Sequence, residues 1–139
     1  MKYQVSLEIQ RPVTQVAESY INKASMKKWE AGLIQIIETK GCLFESKSEG
    51  ILVFEYDGQR MEMKTKVESN MLPHQIVMIY EMMGTWNRCI NHFIDRGNST
   101  IWEMEVEFQF DKPTSIRKEQ FIEKTTQGMH LFKNYVEGI

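Results

Sequence analysis

Two asparagines and a tyrosine occupy positions where they could do chemistry. Asn87 and Asn91 lie four apart in a stretch, Thr85–Ile94, that otherwise reads as a strand, so they share a face with Cys89 and Phe93. If Met83-Gly84 forms a two-residue hairpin loop, Tyr80 joins the same face opposite Asn87. Amides and a phenol among apolar neighbours can hold a ketone or hydroxyl, whereas an unpaired buried amide costs roughly 1–3 kcal/mol. They can equally satisfy one another in a small internal network. None of them is a base near neutral pH unless its pKa is strongly shifted. Glu55 and Glu81 would be better bases, but the same parity turns them to the opposite face.

Other chemistries find less support. His74, His92 and His130 lie far apart without paired-ligand spacing, so no metal is expected. No nucleophile elbow, Gly-rich phosphate loop or Cys/His pair is present, and no cofactor is expected. Cys42 and Cys89 sit inside apolar stretches and read as buried free thiols in a reducing cytoplasm. The net charge of -2 gives no general attraction to nucleic acid or anionic membranes. Lys64 and Lys66 alternate with Glu62 and Glu68, and Lys23, Lys27 and Lys28 read as a solvated helix surface. The first ten residues alternate and lack the pattern of a secretory signal, and no window approaches the ~18 apolar residues of a membrane span. A cytoplasmic location without integral membrane association is expected.

These residues must be positioned by a single domain spanning 1–139. The chain's 139 residues, 42% hydrophobic and 26% charged, suit one ordinary globular unit. Tyr3, Val5, Leu7 and Ile9 alternate with polar residues as a half-buried strand does. Pro12 opens a helix through Val13, Val16, Ala17, Tyr20 and Ile21, and Ser25 could cap a second short helix from Met26 to Trp29. Strand patterns follow at Leu33–Glu45, Ile51–Tyr56, Met61–Ser69, Gln75–Met83, Thr85–Ile94 and Thr100–Phe110, separated by turn signals such as Asp57-Gly58. The period then becomes helical, with Ile116, Phe121, Ile122, Thr125, Met129, Phe132 and Val136 along one face and Gly138 near its stop.

Hairpin parity divides the sheet into two faces. A two-residue loop at Asp57-Gly58 sets Phe54 opposite Met61 and Leu52 opposite Met63, with Glu55 and Arg60 as a charge pair on the reverse. Around Gly97-Asn98, Phe93 meets Trp102, Asn91 meets Met104, Cys89 meets Val106 and Asn87 meets Phe108. On the reverse His92 meets Glu103 and Arg88 meets Glu107, charges that play no part in choosing the register and therefore support it. The candidate ligand cavity is lined by Phe54, Met63, Met78, Tyr80, Asn87, Cys89, Asn91, Phe93, Trp102 and Met104. The terminal helix adds Phe121, Thr125, Met129 and Phe132. Met and aromatic side chains line adaptable pockets and also fill ordinary cores, so solid packing is the alternative. Val77, Ile79, Trp86, Ile90 and Ile94 form an apolar outer patch suited to a homodimer, unless Arg88, His92 and their neighbours cover it.

The element order carries a resemblance, together with particular landmarks. They are the Tyr3–Pro12 strand, Met26-Lys27-Lys28-Trp29-Glu30, the Leu72-Pro73 turn, the Tyr80-Glu81 to Trp86-Asn87-Arg88 hairpin and Thr100-Ile101-Trp102. The whole chain resembles the START-like helix-grip (SRPBCC) superfamily, most closely the small stand-alone members of its polyketide cyclase/dehydratase-like branch. The resemblance implies an α+β helix-grip fold, a curved antiparallel sheet of about seven strands around a long C-terminal helix. It further implies a cavity between them for a lipid, polyketide-like or aromatic molecule. Binding or transport is the function expected from it. A cyclase- or dehydratase-type enzyme is one alternative, and an Hsp90-activator-like interaction domain is another.

Overall fold

The alternating opening segment forms β1 (Lys2–Ile9), and the chain turns at Arg11-Pro12 into α1 (Val13–Tyr20). A 3-10 helix (Lys23–Lys28) follows, then β2 (Leu33–Lys40), β3 (Glu49–Tyr56), β4 (Gln59–Met71), β5 (Gln75–Met82), β6 (Thr85–Asp95) and β7 (Thr100–Phe110). The long helix α2 (Lys118–Glu137) ends the chain at a Gly138 cap. The computed structural model describes residues 1–139. Seven strands form one sheet in the order β1-β7-β6-β5-β4-β3-β2, with every neighbouring pair antiparallel. β2 to β7 are successive hairpin neighbours. The two short helices carry the chain from β1 at one edge to β2 at the other.

Turn chemistry sets the register. Asp57 and Gly58 have φ of 50° and 81°, and Met83 and Gly84 have 45° and 79°, the positive values that a type I′ hairpin needs. Phe54 therefore faces Met61, Tyr80 faces Asn87, and Asn91 faces Met104, as hairpin parity requires. The charges use this register differently from the expected pairs. Arg88 stands opposite Glu107 but forks onto Glu68 of β4 at 2.9 and 2.7 Å. The His92 ring meets Glu105 at 2.6 Å, diagonal to its backbone partner Glu103, which instead accepts from Gln4. Glu55 and Arg60 face each other across the turn without closing an ion pair.

Several segments depart from the sequence pattern. β2 ends at Lys40 rather than Glu45, because Gly41, Phe44 and Lys47 adopt positive φ and turn the chain. The loop is anchored by Leu43 and Phe44, both buried, and by Glu38, whose Oε2 accepts the Leu43 N–H. Ser25 lies within the 3-10 helix and donates back to the Asn22 carbonyl, so it caps nothing. Cys42 is exposed on the loop, 3.2 Å from Lys23 Nζ, while Cys89 is buried. Ile116 precedes α2 and is half exposed, leaving the buried stripe to Met129, Phe132 and Val136.

Tyr20 is the hub of the aromatic core. Its ring lies within 6.3 Å of Trp29, Phe44, Phe93, Trp102 and Phe132, mostly edge to face. Burying each such ring contributes roughly 1.5–3 kcal/mol and ties α1, α2 and the sheet into one body. On the convex face the five apolar residues differ in exposure. Val77 is buried, Ile79, Trp86 and Ile90 are half-buried, and only Ile94 of the five is exposed. Ion pairs of Arg88–Glu68, His92–Glu105 and Lys66–Glu81 run among them.

Candidate functional site

Packed mainly against β1 and α1, α2 leaves a hollow between itself and β3–β4. This hollow is a cavity of about 550 Å³, and 18 of the 25 residues around it are hydrophobic. The sheet supplies one wall through Leu52, Phe54, Met61, Met63, Met78 and Met104. Trp29, Leu43 and Phe44 close one end. At the mouth Tyr56 and Leu131 are exposed, beside Lys124 and Gln127 of α2. Gly128 forms part of the helical wall, and no atom lies within 4 Å of the position a Cβ would occupy. A mid-helix glycine costs roughly 0.5–1 kcal/mol against alanine, and at this exposed position a larger side chain has room beside the cavity.

The structure places Phe54, Met63, Met78, Tyr80, Asn87, Cys89, Trp102, Met104, Thr125 and Met129 around this cavity. Asn91, Phe93 and Phe132 are not part of its wall; they are fully enclosed in the adjoining core. Phe121 lies elsewhere, 4.8 Å from Phe108 and 5.6 Å from Phe110 by ring centroids, beside a second groove under Met83 and Ile116. The grooves meet at Met63, Tyr80, Asn87, Lys124 and Thr125.

The asparagines have separate roles. Asn91 accepts from the Trp102 indole at 3.0 Å and donates to the Ile76 carbonyl at 3.3 Å, an internal network with no free end. Asn87 donates to the Glu107 carbonyl at 3.0 Å, and its oxygen accepts the Cys89 thiol at 3.4 Å. Burial pushes that thiol up to about 12, which leaves it protonated and unreactive. Tyr80 pairs in the sheet with Asn87, but its hydroxyl neighbours that of Tyr20. Burial raises both phenols, so they can donate hydrogen bonds and cannot act as bases near neutral pH.

Glu30 is the functional candidate that alternation did not identify. It follows the 3-10 helix, its backbone N–H bonded to the Met26 carbonyl at 2.8 Å, and its side chain is half-buried on the cavity wall. No protein group hydrogen-bonds its carboxyl, and neither oxygen is sealed from the open space. Burial lifts this carboxyl to about 7. The Trp29 indole N–H and Thr65 hydroxyl also lack partners, but their polar atoms are covered by the wall. Gly32, at φ +82°, lets the Tyr56 ring lie on the backbone beside Glu30, with the Tyr56 hydroxyl donating to Ala31 at 2.7 Å. Trp29-Glu30 stands out in the sequence, but a 3-10 segment has neither of the periods that would orient it.

No family model matches the chain, and no curated protein matches it. Solved structures do. Ara h 8.0201 is similar at 10% identity and a TM-score of 0.83, covering 100% of this chain and 99% of its own. A protein from Chromobacterium violaceum follows at 12% identity and 0.80, over 99% and 98% of the chains. The Zhui aromatase/cyclase from Streptomyces sp. R1128 is similar at 6% identity and 0.76, over 99% and 93%. Identities this low carry the fold alone. It is the helix-grip fold, a curved antiparallel sheet around a C-terminal helix.

Proposed function

We propose that the protein binds or carries a hydrophobic small molecule in the cavity between the sheet and α2. One observation carries this reading: a mostly apolar hollow of about 550 Å³ with a mouth to solvent. That volume falls within the ~300–1,000 Å³ range of small-molecule sites. A solid core would have left nothing of the kind.

A second reading, a cyclase- or dehydratase-type enzyme, is favoured by Glu30 alone, a carboxyl in the cavity that can exchange a proton near neutral pH. The fold supports chemistry in at least one similar structure, named as an aromatase/cyclase. Glu55 is exposed, and Glu81 pairs with Lys66 on the convex side, so neither adds a base.

The neutral dye N-phenyl-1-naphthylamine tests the binding reading. Saturable, blue-shifted fluorescence at one dye per chain is expected. Gly128→Trp should fill the open wall and weaken binding by about tenfold or more, with the circular dichroism of the fold retained. Unsaturable binding, or equal affinity in the two proteins, would count against the cavity as the site.

A further inference from the structure

Glu30 has no cationic partner in the protein: it joins no ion pair, and the cation around the cavity, Lys124, sits exposed at the mouth. A carboxylate left unpaired in an apolar wall is costly, and a charged partner restores what burial removes. A neutral hydroxyl on a ligand could be met by Tyr20 or Tyr80. A neutral donor gains a charge-assisted hydrogen bond from the carboxylate, and a cation adds full charge pairing to it. Beside it stand Trp29, Tyr20 and Tyr56, with the Tyr20 and Trp29 rings 5.9 Å apart. Aromatic rings lining a cavity beside an acid provide chemistry suited to an ammonium group.

We propose that the cavity selects a ligand with an apolar body and a protonated amine at its head, held by the Glu30 carboxylate among the rings of Trp29, Tyr20 and Tyr56. This rests on the reading of the cavity as a hydrophobic small-molecule site and names the ligand's polar end.

Proton linkage follows. The other titratable groups facing the cavity are Tyr20 of α1, Tyr56 of β3, Tyr80 of β5, Cys89 of β6 and Lys124 of α2. Burial raises the three phenols and the thiol, so they stay neutral through pH 8. Lys124 stands on the helix side of the mouth. Glu30 alone therefore changes charge near neutrality, half ionised at about 7. An ammonium head binds the ionised form, so its affinity rises by about tenfold between pH 6 and pH 8, and near pH 7 its binding releases about half a proton. The alkylammonium itself, with a pKa near the lysine value of about 10, stays charged throughout.

Three ligands with the same chain and different heads provide the test: decylamine, 1-decanol and decanoic acid, titrated by calorimetry at pH 6, 7 and 8. Decylamine should bind the wild type at pH 8 about tenfold or more tightly than 1-decanol, with decanoic acid weakest. Its affinity should fall toward pH 6, and its heat at pH 7 should vary with the buffer's ionisation enthalpy; neither should hold for 1-decanol. In Glu30→Gln the amine preference and its pH dependence should disappear while 1-decanol binding persists. Equal binding of all three, or tighter binding of decanoic acid, overturns the amine head and leaves the hydrophobic site standing. An amine preference that survives Glu30→Gln also overturns it. Failure of all three to bind overturns both readings. Should Glu30→Gln fold poorly, the wild-type pH profile alone decides, since a flat amine affinity from pH 6 to 8 is incompatible with the proposal.

Discussion

Asn91 has no exposed surface, and its amide oxygen is the acceptor for the buried indole of Trp102. Replacing it with leucine preserves the size and strands that N–H without a partner. Asn91→Leu should therefore lower stability by roughly 1–3 kcal/mol, read from the urea midpoint, while dye affinity stays within about twofold because the residue does not touch the cavity. An unchanged midpoint would mean that Trp102 finds another acceptor. Asn87 and Asn91 share a face by strand parity, which the sequence displays plainly. Parity is silent on depth along the strand, and depth decides which amide meets the hollow and which is locked in the core. Glu30 was illegible for a related reason: neither alternation nor helical spacing orients a side chain at the end of a 3-10 turn.

At the scale of elements, the hairpins were readable because their turns demand particular residues. Asp57-Gly58 and Met83-Gly84 both show the positive φ that fixes an even loop, and the facing pairs of β3–β4 and β5–β6 follow from it. The loop after β2 was not readable, since Leu43 and Phe44 continue an apolar pattern while the backbone turns. Gly32 is a less visible determinant. At φ +82° a Cβ there would lie 2.4 Å from the Tyr56 ring. Gly32→Ala should cost about 1–2 kcal/mol from the left-handed backbone alone, and more from the clash, with a melting temperature lowered by several degrees. It should also free Tyr56 from Ala31 and widen the mouth. A melting temperature equal to that of the wild type would show that Tyr56 swings away at no cost.

For the molecule as a whole, element order and parity displayed the antiparallel strands and the terminal helix, the resemblance implied that the sheet grips that helix, and the similar solved structures share the fold. The hollow was not specified, because its size depends on how far α2 stands from β3–β4, a distance set by packing on β1 and α1 at the other side. Of the two readings of the convex face, cover by Arg88 and His92 is the one that their ion pairs favour. The aliphatic residues of that face are visible in the sequence, but the fork of Arg88 onto Glu68 reaches across strands and cannot be inferred from one hairpin. The cavity also has a mechanical consequence. Space that solvent does not fill is volume lost when the chain unfolds, and hydrostatic pressure favours the smaller state. If water leaves the cavity of about 550 Å³ unfilled, the unfolding volume change should lie toward the large end of the ~20–100 mL/mol range seen for proteins. Gly128→Trp, occupying part of that space with its own ring, should unfold at higher pressure and with a smaller volume change, followed by tryptophan fluorescence in a pressure cell. Identical volume changes would mean the hollow is already full of water, and a ligand entering it must first drive that water out.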